Sequence, residues 1–379
     1  MSLMHIVYFF TYEYSLKSWR DAGVYNRETA LYKRFINSGH KVTFITYGND
    51  KDFDQLNSED KFNLIPIYSL IKKSNFKLIN YIKSFILPFY LYKRLGNFDV
   101  IKQNQLLGSW IPIILKLISK KPLYIRTGYD MYRFAKYENK SYFKQFLYYL
   151  LTKYTFRFAD IYSVSSKADL DFLSKKFKKF SAKIVVRSNW VNKSKINQHG
   201  TRNNKILMVG RLVSQKNYFA AIDLLKNSNI ELDIIGEGQL KSEITKYASD
   251  NNVSITLLGL FDNEELINIY KKYKIYLSTS LYEGNSKSIL EAMGAGCIVF
   301  ANDIPNNQEL IKEDRGFLLD FNTIKNREFI NIVEKFLNSD EIFDQYSSNA
   351  QIYIENYHNL DILFKLTSQD FNLILSTNN

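Results

Sequence analysis

Short apolar runs alternate with longer stretches of helical spacing along this 379-residue chain, and that alternation most constrains its fold. In the first half, strands are expected near residues 6–10, 41–47, 63–67, 99–102, 123–126, 160–163 and 183–186. Helices are expected between them, near 26–38, 75–95, 109–118, 141–159 and 168–176. In the second half the strand-like runs fall near 205–209, 231–235, 254–258, 275–278, 298–301 and 316–319. Strand, helix, strand repeated in both halves predicts an α/β protein with parallel sheets. The length favours two domains with ample core. The polar stretch 192–204 contains Gly200 and little apolar content, so it reads as a linker. The tail from Asp340 reads as two helices, with apolar spacing at Ile342, Phe343 and Tyr346 and again at Leu360, Leu363 and Phe364.

Composition narrows the function classes. The single cysteine, Cys297, excludes an internal disulfide framework and fits a reducing compartment. It lies in the apolar run Cys297-Ile298-Val299-Phe300 and is expected to be a buried structural thiol rather than a nucleophile. The chain runs at once into the strand at 5–10, without the basic lead of a secretory signal, and no uncharged run reaches the ~18 residues of a membrane span. The expected location is therefore the cytoplasm, or the inner face of the cell membrane as a peripheral protein. Charge is unevenly placed. Residues 1–200 carry 34 Lys and Arg against 14 Asp and Glu, a net +20, whereas residues 201–379 carry 17 against 24, a net −7. A basic first half suits an anionic surface or substrate. Nucleic acid is not expected, because Lys is scattered between apolar residues and no recognition motif is present. Residues 64–95 mix Lys and Arg with large apolar side chains, a composition that suits both an interfacial helix and a core-facing helix with a solvated basic face.

Chemistry concentrates at residues 280–296. Glu283 stands just before a predicted helix, and Glu291 lies eight residues on, inside it. Gly284, Asn285, Ser286 and Lys287 lie between them, with backbone N–H groups open at the helix start, where a phosphate is favoured. Eight helical residues span ~12 Å, beyond the ~5–9.5 Å of a glycosidase carboxylate pair. Such carboxylates suit two ends of one elongated ligand, such as a nucleotide-sugar. The bland alternative is a pair of ordinary helix acids. Against it, Glu291 sits among Ile289, Leu290, Ala292 and Met293, where an unpaired carboxylate is costly if buried. Upstream, Arg211 and Lys216 lie five residues apart on a loop leaving a predicted strand, the edge where open α/β sheets bind ligands. Two cations there can bracket a diphosphate, although a solvated loop reads the same way. Gly236-Glu237-Gly238 ends the next strand as a turn, and Leu260-Phe261 ends the one after it, before a helix start at Asp262. In the first half, Arg126-Thr127-Gly128-Tyr129-Asp130 ends a strand, either as a structural turn or with Arg126 and Asp130 orienting an acceptor. His40 is expected to be structural, no other histidine is placed as a general base, and no His/Cys/Asp cluster has metal spacing.

The Glu283–Glu291 segment resembles the E-x7-E signature of retaining glycosyltransferases of family four, which have the GT-B fold. Residues 210–217 are similar to that family's G-R-L-x-x-x-K-N segment, Gly236-Glu237-Gly238 to its G-x-G turn, and residues 159–165 to its A-D-x-x-x-x-S segment. Ser188-Asn189-Trp190-Val191 stands where the family has P-N-G-V, and Gly23 is what remains of a Gly-rich turn before the first helix. The resemblance covers nearly the whole chain, strongly at 204–320. It implies two Rossmann-like domains with parallel sheets facing across a cleft. Residues 1–195 would bind the acceptor, 205–355 the nucleotide-sugar, and the helix in 356–379 would pack back on the first domain.

By the same resemblance, a sugar moves from a nucleotide-diphosphate sugar to a glycan or lipid-linked acceptor with retained anomeric configuration, in cell-surface polysaccharide synthesis. Arg211 and Lys216 would hold the donor diphosphate. With Glu283, which would contact hydroxyls of the transferred sugar, they form the expected catalytic set. Gly210, Gly284, Asn285, Ser286 and Lys287 would line the sugar and phosphates, Glu291 the ribose, and Gly236 and Gly238 the nucleotide. Leu260 and Phe261 would touch the base, and Gly23 a phosphate. No metal or cofactor is implied, because cations and helix-end N–H groups can stabilise the departing diphosphate. The expected partners are the donor, the acceptor and an anionic membrane surface. Two alternatives stand beside this reading: a nucleotide-sugar epimerase of the same architecture, and a non-catalytic subunit that recruits a partner to membrane.

Overall fold

Strands of a parallel sheet covered on both faces read as continuous apolar runs, and every residue of the first strand, His5–Phe9, is buried. The computed structural model describes residues 3–191, 202–312 and 314–377, without the side chain of Glu264. Residues 192–201 of the expected linker, His199 among them, lie outside the described residues. The chain divides into two compact units, one of residues 1–188 with 363–379 and one of residues 189–362.

The first unit holds strands β1 (His5–Phe9), β2 (Lys41–Thr46), β3 (Asn63–Pro66), β4 (Val100–Asn104), β5 (Leu123–Thr127), β6 (Ile161–Val164) and β7 (Ile184–Val186). They form one parallel sheet in the order β3-β2-β1-β4-β5-β6-β7. Its helices are α1 (Leu16–Asp21), α2 (Tyr25–Asn37), α3 (Ile67–Leu70), α4 (Lys77–Ser84), α5 (Leu87–Leu95), α6 (Trp110–Ser119), α7 (Met131–Tyr137), α8 (Tyr142–Phe158) and α9 (Lys167–Lys176). The expected single helix at 75–95 is two. The first ends at Ser84, and Pro88 sits in the opening turn of the second, where its missing N–H costs nothing. On one face of the sheet Val7, Ile101 and Ile125 pack with Leu91 of α5, Ile111 and Leu115 of α6 and Phe156 of α8. Strand β4 also carries Lys102, buried at 2% exposure, whose ammonium donates to the Tyr32 hydroxyl at 2.6 Å and lies 4.7 Å from the Tyr8 ring. Burial pulls the Lys102 pKa well below the usual lysine range.

The second unit holds β8 (Asn203–Val209), β9 (Leu232–Ile235), β10 (Ile255–Gly259), β11 (Tyr273–Ser278), β12 (Ile298–Asn302) and β13 (Gly316–Leu319). They too form one parallel sheet, ordered β10-β9-β8-β11-β12-β13. Its helices are α10 (Tyr218–Leu225), α11 (Lys241–Asp250), α12 (Asn263–Tyr270), α13 (Lys287–Gly294), α14 (Pro305–Gln308), α15 (Asn326–Asn338) and α16 (Asp340–Tyr357). Ile222, Ile244 and Val333 place α10, α11 and α15 on one face, whereas Tyr270, Ile289 and Ile354 place α12, α13 and α16 on the other. Cys297 is fully buried, and burial pushes its thiol up to about 12.

The last helix, α17 (Leu360–Ser376), runs mostly within the first unit. Its Phe364 and Phe371 rings lie 4.8 and 5.5 Å from the Phe35 ring. Asp370 receives Arg187 in a fork at 2.5 and 2.8 Å and the Tyr124 hydroxyl at 3.2 Å. Among the described residues no helix is long and apolar enough to cross a membrane.

Candidate active site

In the second sheet β8 and β11 are neighbours, yet the helices that follow them cover opposite faces. The two connections therefore diverge, leaving a crevice at the carboxyl ends of the strands, the place where open α/β sheets bind ligands. The residues singled out from sequence lie on these two connections. After β8 come Gly210 and Arg211, then a 3-10 turn at Ser214–Lys216 that leads into α10. After β11 come Thr279 to Ser286, then α13.

The loops are bonded to each other at four places. The Thr279 hydroxyl meets the carbonyls of Lys216 and Asn217, both at 2.9 Å. The Leu281 N–H donates to the Gln215 carbonyl at 2.9 Å, and the Gln215 amide donates to the Tyr282 carbonyl at 2.8 Å. These bonds deliver the fourth contact, in which the Lys216 ammonium reaches the Glu283 carboxylate at 2.5 Å. Their side chains are 17% and 9% exposed, so the pair is largely out of water. Lys216 has three donors, and this ion pair engages one of them. Arg211 is exposed, and its guanidinium has no hydrogen-bond or ion-pair partner among the described residues.

Gly210, Gly236 and Gly238 form the floor under this loop pair. A Cβ at Gly236, whose φ is +148°, would stand 1.9 Å from the Gly210 carbonyl oxygen, and one at Gly238 would stand 2.4 Å from the Leu212 oxygen. The turn after β9 must lie directly on residues 210–212, and only glycine permits that approach. The Leu212 N–H donates to the Glu237 carbonyl at 3.0 Å, and Gly236 N–H donates to the Gly259 carbonyl at 2.8 Å. The latter bond draws in the turn after β10, where Leu260 and Phe261 are 74% and 38% exposed. Tyr218, which burial and the nearby Glu283 keep protonated, closes the floor by donating to the Gly210 carbonyl at 2.8 Å.

At the start of α13, Gly284, Asn285 and Ser286 are buried and Lys287 opens the helix. Asn189 fixes Asn285: its N–H donates to Oδ1 at 2.9 Å and its side-chain amide to the Asn285 carbonyl at 2.6 Å. With Oδ1 committed, the buried Asn285 Nδ2 is a donor without a partner among the described residues. A buried donor left unpaired is costly, so this atom suits a polar ligand. Glu291 is 8% exposed and accepts from the Tyr270 hydroxyl at 3.4 Å. The expected ~12 Å helical separation of the two acids needs correction, because the helix starts only at Lys287 and Glu283–Ser286 form a loop. Among the described residues no group of three His, Cys, Asp or Glu side chains lies together as a metal site.

The remaining expected residues lie in the first unit. Gly23 is exposed at the turn between α1 and α2, with φ +63°. It follows the first helix instead of preceding it, because Ser15 caps an extra helix at Leu16–Asp21. Arg126 donates to the Arg187 carbonyl at 2.6 Å. Asp130 is 1% exposed and caps α7 by accepting the Arg133 N–H at 2.6 Å. Sequence reasoning missed Gln215, Thr279, Tyr270 and the Asn189–Asn285 clasp. The polar residues beside Lys216 and Glu283 were the only signal for the first two.

Comparison with known proteins places this arrangement. The fold superposes on a glycosyltransferase from Rickettsia africae with TM-score 0.73 at 16% identity, covering 99% of each chain. The fold is GT-B. A second GT-B neighbour, the Anabaena protein HepE in complex with UDP, matches with TM-score 0.71 at 15% identity over 97% of this chain and 100% of that one. Residues 191–353, which hold all the expected donor-side residues except Gly23, match the family described as Glycosyl transferases group 1. Among curated relatives, the Escherichia coli UDP-Gal:alpha-D-GlcNAc-diphosphoundecaprenol alpha-1,3-galactosyltransferase is 33% identical over 162 residues. That stretch spans 40% of this chain and 41% of the relative, so the match covers less than half of either.

Proposed function

We propose that this chain is a retaining glycosyltransferase of family four, moving a sugar from a nucleotide-diphosphate sugar to a glycan or lipid-linked acceptor. The observation that carries the reading is the Lys216–Glu283 contact, made by two loops that diverge at the carboxyl edge of the second sheet. In this reading Arg211 and the free donors of Lys216 hold the diphosphate, with the N–H groups at the start of α13. Glu283 keeps Lys216 in place through Oε1 and offers its other oxygen to a hydroxyl of the transferred sugar. The Asn285 Nδ2 donor faces the same ligand, and Glu291 with Tyr270 takes the ribose hydroxyls. Gly236, Gly238, Leu260 and Phe261 border the nucleoside.

Cleavage of the sugar–phosphate bond builds negative charge on the leaving diphosphate. Fixed cations lower the barrier only if they favour that charge over the intact donor. Arg211 and Lys216 are held by loops bonded at several points, so they need little rearrangement as the charge develops. In this reading the two cations supply the positive charge, and no metal is invoked. The acceptor class is supported by the E. coli relative, whose name specifies a diphosphoundecaprenol-linked substrate, and by the basic first half of the chain. Cell-surface polysaccharide synthesis, on the inner side of the membrane, is the setting that follows.

The test is a thermal-shift screen of nucleotide-sugars, since a ligand that binds only the folded state raises the melting temperature. The best donor is then incubated with a lipid-diphosphate sugar acceptor, and the anomeric configuration of the product is read by NMR. A product with the donor's configuration is expected. An inverted product, or an isomerised sugar formed without acceptor, overturns the reading.

A further inference from the structure

One layer of the first unit leaves large apolar side chains in water along two separate stretches. On α4, α5 and the residue before them, Phe76, Leu78, Ile82 and Phe89 are 70%, 69%, 58% and 54% exposed. On α8, Tyr142, Phe143 and Phe146 are 90%, 69% and 55% exposed. An ordinary solvated helix turns charged residues outward, and scattered single apolar residues need no explanation. These do, because they cluster along their helices and the charges carried by the same stretches are basic, although Glu13 pairs with Lys73 and Glu138 with Lys140. Residues 61–98 contain seven Lys and Arg and no Asp or Glu, and residues 139–159 contain four and none.

The two stretches are tied to one short segment. Trp110, at the start of α6, donates its indole N–H to Ser84 of α4 at 2.8 Å, and its ring lies 5.1 Å from that of Tyr81. The adjacent Ser109 shares a hydroxyl hydrogen bond of 2.9 Å with Thr155 of α8. Both stretches thus flank the amino end of α6, in the layer that covers a single face of the sheet. Beside α8 lies a cleft of about 590 Å³, lined by Lys153, Arg157, Lys176, Lys178 and Lys179 together with aromatic rings, and no acid lines it.

A protein partner would meet a basic, apolar face with acids of its own, whereas an anionic bilayer meets both features at once. Tyr and Trp settle at the lipid–water boundary, apolar side chains enter it, and lysines gain from negatively charged headgroups. We propose that α4, α5 and the first half of α8 form a two-part surface that docks on an anionic lipid bilayer, with the basic cleft beside α8 taking lipid phosphate. This extends the suspicion that fell on residues 64–95 to a second element, α8, and it does not depend on the sugar-transfer reading.

The test is sedimentation of the full chain with vesicles of phosphatidylcholine alone or with one third phosphatidylglycerol, without any nucleotide-sugar. Binding is expected only to the anionic vesicles. The exposed pair Lys77→Gln with Lys93→Gln lowers it about twenty-fivefold, at about fivefold per lysine. Phe76→Ser with Ile82→Ser, and separately Phe143→Ser with Phe146→Ser, each lower it by at least tenfold at unchanged melting temperature. As a check independent of folding, Phe143→Trp shows a blue-shifted fluorescence that brominated lipid quenches. Equal binding to neutral vesicles, full binding by the α8 variant, or an unquenched Trp at position 143 overturns the proposal. So does a concentration-dependent dimer in the absence of lipid that the same substitutions abolish, which would make a second copy the occupant.

Discussion

Lys216 and Glu283 meet at 2.5 Å although 67 residues separate them, and each sits on a loop that the other's loop holds in place. A charge pair this sheltered is weak evidence for stability by itself, because desolvation offsets much of the attraction. Removing one partner is a different matter, since it strands the other charge.

Lys216→Met is therefore expected to cost about 3 kcal/mol in urea unfolding, and Glu283→Gln a similar amount. The double variant should cost about as much as either single variant and not their sum, because neither charge is left alone, giving a coupling energy of about 3 kcal/mol in the cycle. Transfer activity should not recover with stability. If the double variant turns over donor at the original rate, the pair is only a brace.

Arg211 separates binding from folding more cleanly. Its exposed side chain has no partner to lose among the described residues, so Arg211→Ala should leave stability within about 0.5 kcal/mol. The same substitution should lower kcat by about 10²- to 10³-fold. Arg211→Lys keeps the charge but loses the planar fork, and an intermediate rate is expected. Steady-state kinetics with the donor found by thermal shift reads all three.

Gly236→Ala tests the floor of the site. The added Cβ would stand 1.9 Å from a backbone oxygen that cannot swing aside. A cost of about 3 kcal/mol is expected, at the upper end for overpacking, together with weaker donor binding because residues 210–212 must move. Gly96→Ala is the comparison, since a Cβ there meets nothing within 4 Å. Its φ of +62° and ψ of −143° leave only a backbone strain, of about 1–3 kcal/mol. Calorimetric melting of the two variants distinguishes space from strain.

Asp130 should make the first unit sensitive to pH. Burial raises its carboxyl pKa to about 7, the Arg133 N–H pulls it down and the neighbouring Asp169 adds to the rise. Between about pH 4 and 7 the folded chain keeps a proton that the unfolded chain has lost, so stability falls as pH rises through that window and levels above it. Asp130→Asn retains a good helix cap and removes the titration. It is expected to be more stable than the native chain at pH 8, by up to about 4 kcal/mol, and nearly equal at pH 4. Urea midpoints at the two pH values check the sign.

The strands were legible because a parallel sheet buries both faces, so runs such as His5–Phe9 and Ile298–Asn302 are buried from end to end and apolar at all but one position each. The loop chemistry was legible where charge and glycine stand at a strand's end, as in Gly210-Arg211 and Glu283-Gly284. What escaped was whatever depends on distant partners. Nothing near Lys102 in sequence announces a buried amine, since its neighbours Tyr8 and Tyr32 come from β1 and α2. The Asn189–Asn285 clasp joins positions 96 residues apart. The break at Phe85–Ile86 escaped for a local reason: apolar spacing continues across it, and Pro88 is compatible with a helix's first turn.

The fork between Arg187 and Asp370 has a practical consequence for anyone dissecting this chain. Cutting after residue 188 would discard the rings of Phe364 and Phe371 and strip a half-buried guanidinium of its counterion. A fragment meant to carry the amino-terminal unit alone therefore has to be spliced, with residues 363–377 rejoined behind Ser188 through an artificial connector. Tags and fusions placed directly after α17 would likewise bear on the first unit.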